Sequence, residues 1–165
     1  MKKIITNILI FLFFTLTFII TYCLLSYNKY NITEFKNSTL LIANKELEDY
    51  DKGSLLIVEK NPKLAIGDKV FYYDTYSPKV KVKIGTINKI EKINEKENTI
   101  VLDDEVSISS EYVFGNTKYT EVYPTIGSIF SILTSKWGYL IIIIFPMLIA
   151  FIYEIYEIIK EIKRK

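Results

Sequence analysis

Two short stretches hold residue types that do chemistry at a useful spacing. Lys79-Val80-Lys81-Val82-Lys83 sets amines two residues apart, and Asp103-Asp104-Glu105 sets carboxylates side by side. A lysine buried among apolar groups gives up its proton more readily and can then act as a general base toward a hydroxyl. Alternation with valine, however, is the period-two pattern of a half-buried strand, which lines the amines along one solvated face. The acids could attract a hard cation, but one short cluster offers too few ligands for a specific site. Acids closing an apolar run also have the ordinary composition of a solvated turn. The chain has no histidine, which excludes a Ser-His-Asp mechanism and histidine-ligated metals. Its single cysteine, Cys23, allows no intramolecular disulfide. No cofactor and no metal are implied.

These groups must be held by elements that the rest of the sequence predicts. Residues 4–25, IITNILIFLFFTLTFIITYCLL, carry no charge and are long enough to cross roughly 30 Å of hydrocarbon as a helix. A cleaved signal peptide is the alternative, but the run is long and lacks a small-x-small cleavage site. Residues 138–153, GYLIIIIFPMLIAFIY, form a second apolar run, with Trp137 and Tyr139 where an interfacial belt would lie and Pro146 where a kink is expected. Lys2 and Lys3 precede the first run, and Lys160, Lys163, Arg164 and Lys165 follow the second. The positive-inside rule therefore predicts a two-pass protein in the lipid bilayer of the cell membrane, with both termini cytoplasmic and the middle outside. The expected division is an anchor over 1–26, an extracytoplasmic domain over 27–135, and a second span with a basic tail over 136–165.

Between the anchors the pattern is β. Ser54–Glu59, Lys69–Asp74, Lys79–Ile84, Ile87–Ile93 and Thr99–Leu102 read as strands, with shorter ones around Val106–Ile108 and Tyr119–Val122. Asn94–Asn98 reads as a polar turn, Ser109–Asn116 as a connection, and Ser128–Leu133 as a short helix. The fold class predicted is mainly β, a small twisted or barrel-like domain between two transmembrane helices. Residues 27–135 carry 14 Lys against 16 Asp plus Glu, a near-neutral balance with no nucleic-acid footprint.

Four stretches in order carry a family pattern. They are Lys52-Gly53-Ser54-Leu55-Leu56-Ile57-Val58, Ile66-Gly67-Asp68-Lys69-Val70-Phe71, Glu111-Tyr112-Val113-Phe114-Gly115, and Tyr123-Pro124-Thr125-Ile126-Gly127 before an apolar span. Together they resemble signal peptidase I of the archaeal, endoplasmic-reticulum and sporulation-type branch, over most of residues 40–155. The resemblance implies a signal-peptidase-type β domain and a serine endopeptidase ancestry. It also implies where the reactive groups would stand. The nucleophile's position falls on Lys45 and the histidine base's on Gly85, while Asp103 and Asp104 take the place of the family's aspartates without the usual glycine.

Neither Lys45 nor Gly85 can do what those positions require, because a nucleophile needs a hydroxyl or thiol beside a base. The expected function is therefore a catalytically degenerate, membrane-anchored signal-peptidase-like protein. It would bind exported peptides or partner an active signal peptidase. The alternative is an active enzyme with displaced groups, using Ser38 or Ser54 as nucleophile and Lys83 as base, as the main bacterial branch uses lysine.

Overall fold

The computed structural model describes residues 2–30, 32–45, 47, 49–60, 63–76, 80–92 and 98–163. The chain divides into two units, Leu25–Ser128 and the two terminal segments taken together.

The Leu25–Ser128 unit is built from antiparallel strands: β1 (Thr33–Glu34), β2 (Ser38–Ile42), β3 (Leu55–Glu59), β4 (Lys69–Asp74), β5 (Lys81–Lys92), β6 (Asn98–Leu102), β7 (Ser107–Ser109), β8 (Val113–Asn116) and β9 (Thr120–Tyr123). They form two sheets, ordered β1-β2-β3-β9 and β7-β6-β5-β4-β8. The predicted Lys69–Asp74 strand is β4, and Ser54–Glu59 loses only its first residue to a loop. The separate strands expected at 79–84 and 87–93 are one continuous strand, β5. Lys79 and most of the expected turn at 94–98 lie outside the described residues. The expected connection at 109–116 is instead a 3₁₀ turn, Ser110–Tyr112, followed by β8. Gly115 and Asn116 look like turn residues in the sequence, yet both are buried in a strand.

β4 organises this unit. Flanked by β5 and β8, it buries five consecutive residues from Val70 to Asp74. Alternation sends Phe71 and Tyr73 into a core with Leu41, Leu47, Leu56, Val58 and Phe114. Val70 and Tyr72 enter a second core with Ile87, Ile100, Leu102 and Ile108. Phe71 has no exposed surface, and burial of such a side chain contributes about 2 kcal/mol or more. Tyr73 and Phe114 meet with ring centroids 4.6 Å apart, so β8 is held to β4 by side chains as well as by the ladder.

The first core joins the sheets where β8 passes β3. A methyl group built on Gly115 would lie 2.0 Å from Cγ1 of the fully buried Val58 and 3.2 Å from the Glu59 carbonyl oxygen. Only a residue without a side chain allows so close an approach.

The terminal unit contains α1 (Lys2–Leu25) and, after α2 (Ile126–Thr134), a run of helical turns: α3 (Lys136–Tyr139), a π-helical turn (Leu140–Ile144) and α4 (Phe145–Ile162). Ile4–Leu25 and Lys136–Ile162 are long and apolar enough to cross a membrane, with mean hydropathies of 2.6 and 2.2. The second run is thus longer than residues 138–153, continuing through Ile162. Pro146 falls in the first turn of α4, directly after the π turn. Its missing N–H costs least there, because the wider winding has already shifted the hydrogen-bond ladder. Thr21 and Tyr139 share a hydrogen bond of 2.9 Å between hydroxyls, close to the buried Ile20, Cys23 and Ile143.

Replacing Gly115 with Ala is expected to destabilise the Leu25–Ser128 unit by about 1–3 kcal/mol, as overpacking of a closed core does. Amide exchange of β3 and β8 checks this. Unchanged protection at Val58 and Phe114 would count against the close approach of the two strands.

Candidate functional site

A cleft of about 470 Å³ opens in the Leu25–Ser128 unit. Its walls include Lys45, Tyr72, Lys83, Gly85, Asp103 and Asp104. Every position that the family pattern marks therefore reaches one place, although these residues lie far apart in the chain.

Three local structures put them there. The first is the loop between β2 and β3, which folds back on itself. The Ala43 N–H donates to the Ser54 carbonyl and the Gly53 N–H to the Ala43 carbonyl, both at 2.9 Å. Leu47, fully buried, anchors the middle of the loop, and the Ser128 N–H donates to the Gly53 carbonyl at 3.0 Å. Lys45 projects from this pinned loop as an exposed side chain.

The second is the β4–β5 pair, in which Tyr72 lies opposite Lys83 and Asp74 opposite Lys81. Lys83 Nζ reaches diagonally to the buried Asp74 carboxylate at 2.7 Å. Asp74 also accepts the Tyr76 N–H at 3.0 Å. The expected solvated stripe is therefore only half the account. Lys81 is exposed, but Lys83 is half-buried, paired and turned into the cleft.

The third is the turn after β6, where Asp103 and Asp104 shape the backbone as well as the cleft. The Asp103 N–H donates to the Thr86 carbonyl at 3.0 Å, and its carboxylate accepts the Thr86 N–H at 3.3 Å. Asp104 accepts the Val106 N–H at 3.3 Å, within the turn. The Thr86 hydroxyl, aided by the amide, holds the Asp103 carboxyl below the ordinary aspartate range. Burial pushes the Tyr72 phenol up, with Asp104 acting in the same direction and Lys83 against it. Tyr72 accordingly faces the cleft as a neutral hydrogen-bonding group.

Gly85 has no room for a side chain. A methyl group there would lie 2.8 Å from Leu102 Cδ1 and 3.3 Å from Tyr72 Cε1. Where the family pattern places a histidine, Leu102 and Tyr72 fill the space.

Ser38 and Ser54 are not among the residues lining the cleft. Ser38 opens β2 opposite Glu59, and Ser54 is buried, its N–H donating to the Asp51 carbonyl at 3.1 Å. Hydroxyls at the cleft come from Tyr72 and Thr86, acids from Asp49, Asp103 and Asp104, and amines from Lys45, Lys69 and Lys83. Lys69 pairs with Asp49 at 3.0 Å, as Lys83 does with Asp74. Among the described residues no group of three or more His, Cys, Asp and Glu is arranged to hold a metal ion. The arrangement can accept and donate hydrogen bonds to a polar chain, and an ammonium held in an ion pair has no lone pair to take a proton. Sequence reasoning passed over Asp74, Tyr72 and Thr86. The signal for Asp74 and Tyr72 was present, since pairing KVFYYD with KVKVKI as neighbouring antiparallel strands sets both against the lysines.

Fold and site together define a two-sheet antiparallel β protein with a polar cleft and two helices long enough to span a membrane. No family model, curated protein or solved structure matches the chain.

The Asp103–Thr86 contact makes a titratable prediction. A carboxyl whose value is depressed on folding stabilises the fold above the ordinary aspartate range, and that contribution is lost as pH falls through the depressed value. The Thr86 amide resonance is expected to titrate with a midpoint below 3.8 and to lose this transition in Asp103→Asn. A midpoint at or above 3.8 would sink the assigned contact.

Proposed function

We propose that this chain is a membrane-anchored, signal-peptidase-like protein that has lost hydrolysis and retains the holding of extended peptide segments. The convergence of Lys45, Gly85, Asp103 and Asp104 on one cleft carries the proposal. Lys45, Gly85 and the adjacent Asp103 and Asp104 come from three separate segments and line the same cleft, as the family's arrangement would require. On this reading the two sheets meeting at Gly115 are the barrel-like, signal-peptidase-type domain, lying outside the cell with both termini in the cytoplasm.

The β5 backbone supports the mode of binding. Its residues Lys81–Thr86 pair with β4 on one side, whereas β6 pairs only with Ile87–Lys92 on the other. Because the Thr86 carbonyl faces the β6 side, alternation turns the Val82 and Ile84 backbone groups to that side too. Among the described residues no strand covers that edge, and Ile84 lines the cleft. An extended peptide added there would gain main-chain hydrogen bonds from β5 and side-chain contacts from the cleft. Lysine–aspartate pairs around the site would meet both ends of each peptide dipole.

Hydrolysis has no comparable support. The serines advanced for it, Ser38 and Ser54, lie off the cleft lining, and Lys83 is tied to Asp74.

The test is binding of an extended apolar peptide to the whole protein in detergent or vesicles. Val82 and Ile84 amide resonances are expected to shift, and a peptide N-methylated at alternate residues is expected to bind at least roughly tenfold more weakly, the scale of one or two lost hydrogen bonds. The protein is also expected to leave a secretory precursor intact. Precursor cleavage that disappears in Ser38→Ala or Ser54→Ala would overturn the loss of hydrolysis. Equal binding of the methylated peptide would overturn strand addition.

A further inference from the structure

The Leu25–Ser128 unit contains a second cavity, of about 220 Å³, that shares no lining residue with the outer cleft. Tyr30, Tyr73 and Tyr112 line it together with Lys29, Glu34 and Glu111. Asn28 builds one side. Its Oδ1 accepts the Tyr30 N–H at 2.8 Å and the Ile32 N–H at 3.2 Å, the local bonding of an Asx turn, which fixes the chain between α1 and β1. Its Nδ2 donates to the Tyr73 hydroxyl at 2.9 Å and to the Glu34 carboxylate at 2.8 Å. Tyr30 is thereby laid on Tyr73, with ring centroids 4.6 Å apart. Tyr112 ends the 3₁₀ turn that leads into β8, the neighbour of Tyr73's own strand β4.

The lining selects one kind of ligand. Pockets for drug-sized molecules run to about 300–1,000 Å³, so this one takes a small group and no peptide. Aromatic rings gathered in one cavity present negative faces that attract a cation. Burial pushes the Tyr73 phenol up, which keeps that ring neutral. The protein's own lysine shows the preference. Lys29 Nζ lies 4.9 Å from the Tyr30 ring centroid, and the Tyr30 hydroxyl holds its ammonium above the ordinary lysine range. Lys29 is nonetheless exposed, and the 220 Å³ stays open with its side chain in place. The nearby acceptors are engaged: the Tyr30 hydroxyl by Lys29, the Tyr73 hydroxyl by Asn28, and Glu34 by Lys60 and Asn28. A primary amine would find few partners for its three N–H groups, whereas a quaternary ammonium has none to satisfy. Exposed Glu111 supplies a charge for such a cation to meet.

We propose that this pocket binds a quaternary ammonium group of the trimethylammonium class, held on the ring faces of Tyr30 and Tyr112 with Glu111 balancing its charge. The site is independent of the peptide-holding reading. Two sources carry such a group, a choline head group of the bilayer and a soluble choline-like compound. On the membrane-anchored reading, chain length favours the head group. The 22 residues Ile4–Leu25 rise about 33 Å as a helix, enough to cross the hydrocarbon. Asn28 follows Leu25 by three residues, so no more than about 11 Å of chain separates it from the helix end. That reach is the depth of the head-group layer and the water beside it.

The full-length protein in dodecyl maltoside micelles tests this, with choline chloride as the probe and dimethylbutanol, its uncharged isostere, as the control. The choline methyl protons are expected to shift upfield and to receive saturation from tyrosine ring protons. Dimethylbutanol is expected to bind at least roughly fivefold more weakly, the scale of one cation–π contact. Tyr30→Leu is expected to abolish binding and Tyr30→Phe to keep it, since Phe retains the ring face. Glu111→Gln, at an exposed position, is expected to weaken binding about two- to threefold, and it decides the matter if Tyr30→Leu does not fold. Lys29→Gln removes the resident cation and is expected to tighten binding. Equal binding of choline and dimethylbutanol, unchanged binding in Tyr30→Leu or Glu111→Gln, or weaker binding in Lys29→Gln would overturn the site. Repeating the titration in lipid nanodiscs separates the sources. Binding suppressed by phosphatidylcholine but not by phosphatidylglycerol assigns the pocket to the head group, and equal binding in both assigns it to a soluble compound. Val82 and Ile84 amide shifts report on the outer cleft and are expected to ignore choline, so the failure of either reading leaves the other standing.

Discussion

The two-sided burial of β4 is the constraint on which the Leu25–Ser128 unit depends. Register is strongly specified wherever one face of a strand is buried, and a strand that packs different side chains on each face specifies it twice. Phe71 and Tyr73 fit the core shared with β2, β3 and β8, while Val70 and Tyr72 fit the core shared with β5, β6 and β7. A slip by one residue would reverse the two faces and set Val70 or Tyr72 where Phe71 sits, and closely packed interiors do not absorb that. The register of β5 follows from β4, and with it the meeting of Lys83, Gly85 and Thr86 at one cleft.

The ends of β4 add an electrostatic clamp to this packing. Asp74, buried at one end, holds Lys83. Asp68, buried just before the other end, is hydrogen-bonded by Lys118, which keeps its carboxyl below the ordinary range. A buried carboxylate with its partner removed is far more destabilising than the pair is stabilising. Lys83 is thus committed to the fold, and a residue so committed is poorly placed to change protonation during a reaction cycle. A similar network lies at β1, where Glu34 takes a 2.5 Å contact from Lys60 and a 2.8 Å hydrogen bond from Asn28. Burial works to raise the Glu34 carboxyl, and those two partners outweigh it. Its contribution therefore persists above the ordinary glutamate range and is lost as pH falls through the depressed value.

How far the sequence disclosed this arrangement depended on whether local pattern and tertiary role agreed. KVFYYD is β-branched and aromatic throughout, so propensity alone located β4. VFGN was hidden because its glycine and asparagine carry turn signals. Gly115 stands in β8 where β3 comes too close for a side chain, a fact that no local window contains. β2, STLLI, was missed for a related reason: it is short and borders a polar loop, and only pairing with β3 from Ser38↔Glu59 to Ile42↔Leu55 makes it a strand. That Lys45, Gly85, Asp103 and Asp104 line one cleft is contained in no local pattern. Counting along the chain gave Lys45, Gly85, Asp103 and Asp104, while their meeting depends on long-range register.

Gly85 shows what a reactive side chain at this place in the cleft would cost the fold. In a working enzyme of the resembled kind, the position must project a base into the cleft. Here Leu102 and Tyr72 occupy the volume such a side chain would need, and Leu102 is wholly buried. Its burial contributes about 2 kcal/mol to the second core. A histidine at Gly85 would require Leu102 and Tyr72 to shift, and overpacking of a closed core costs typically about 1–3 kcal/mol. A single substitution would therefore lower stability before it could supply a base, and the nucleophile's position at Lys45 would still lack a hydroxyl. Binding faces no such obstacle. Among the described residues the Lys81–Thr86 edge of β5 pairs with no strand on its β6 side, and the charges around the cleft are paired. On the proposed reading, holding a peptide asks only for this edge and cleft, whereas cleaving it would ask for side chains that the core leaves little room for.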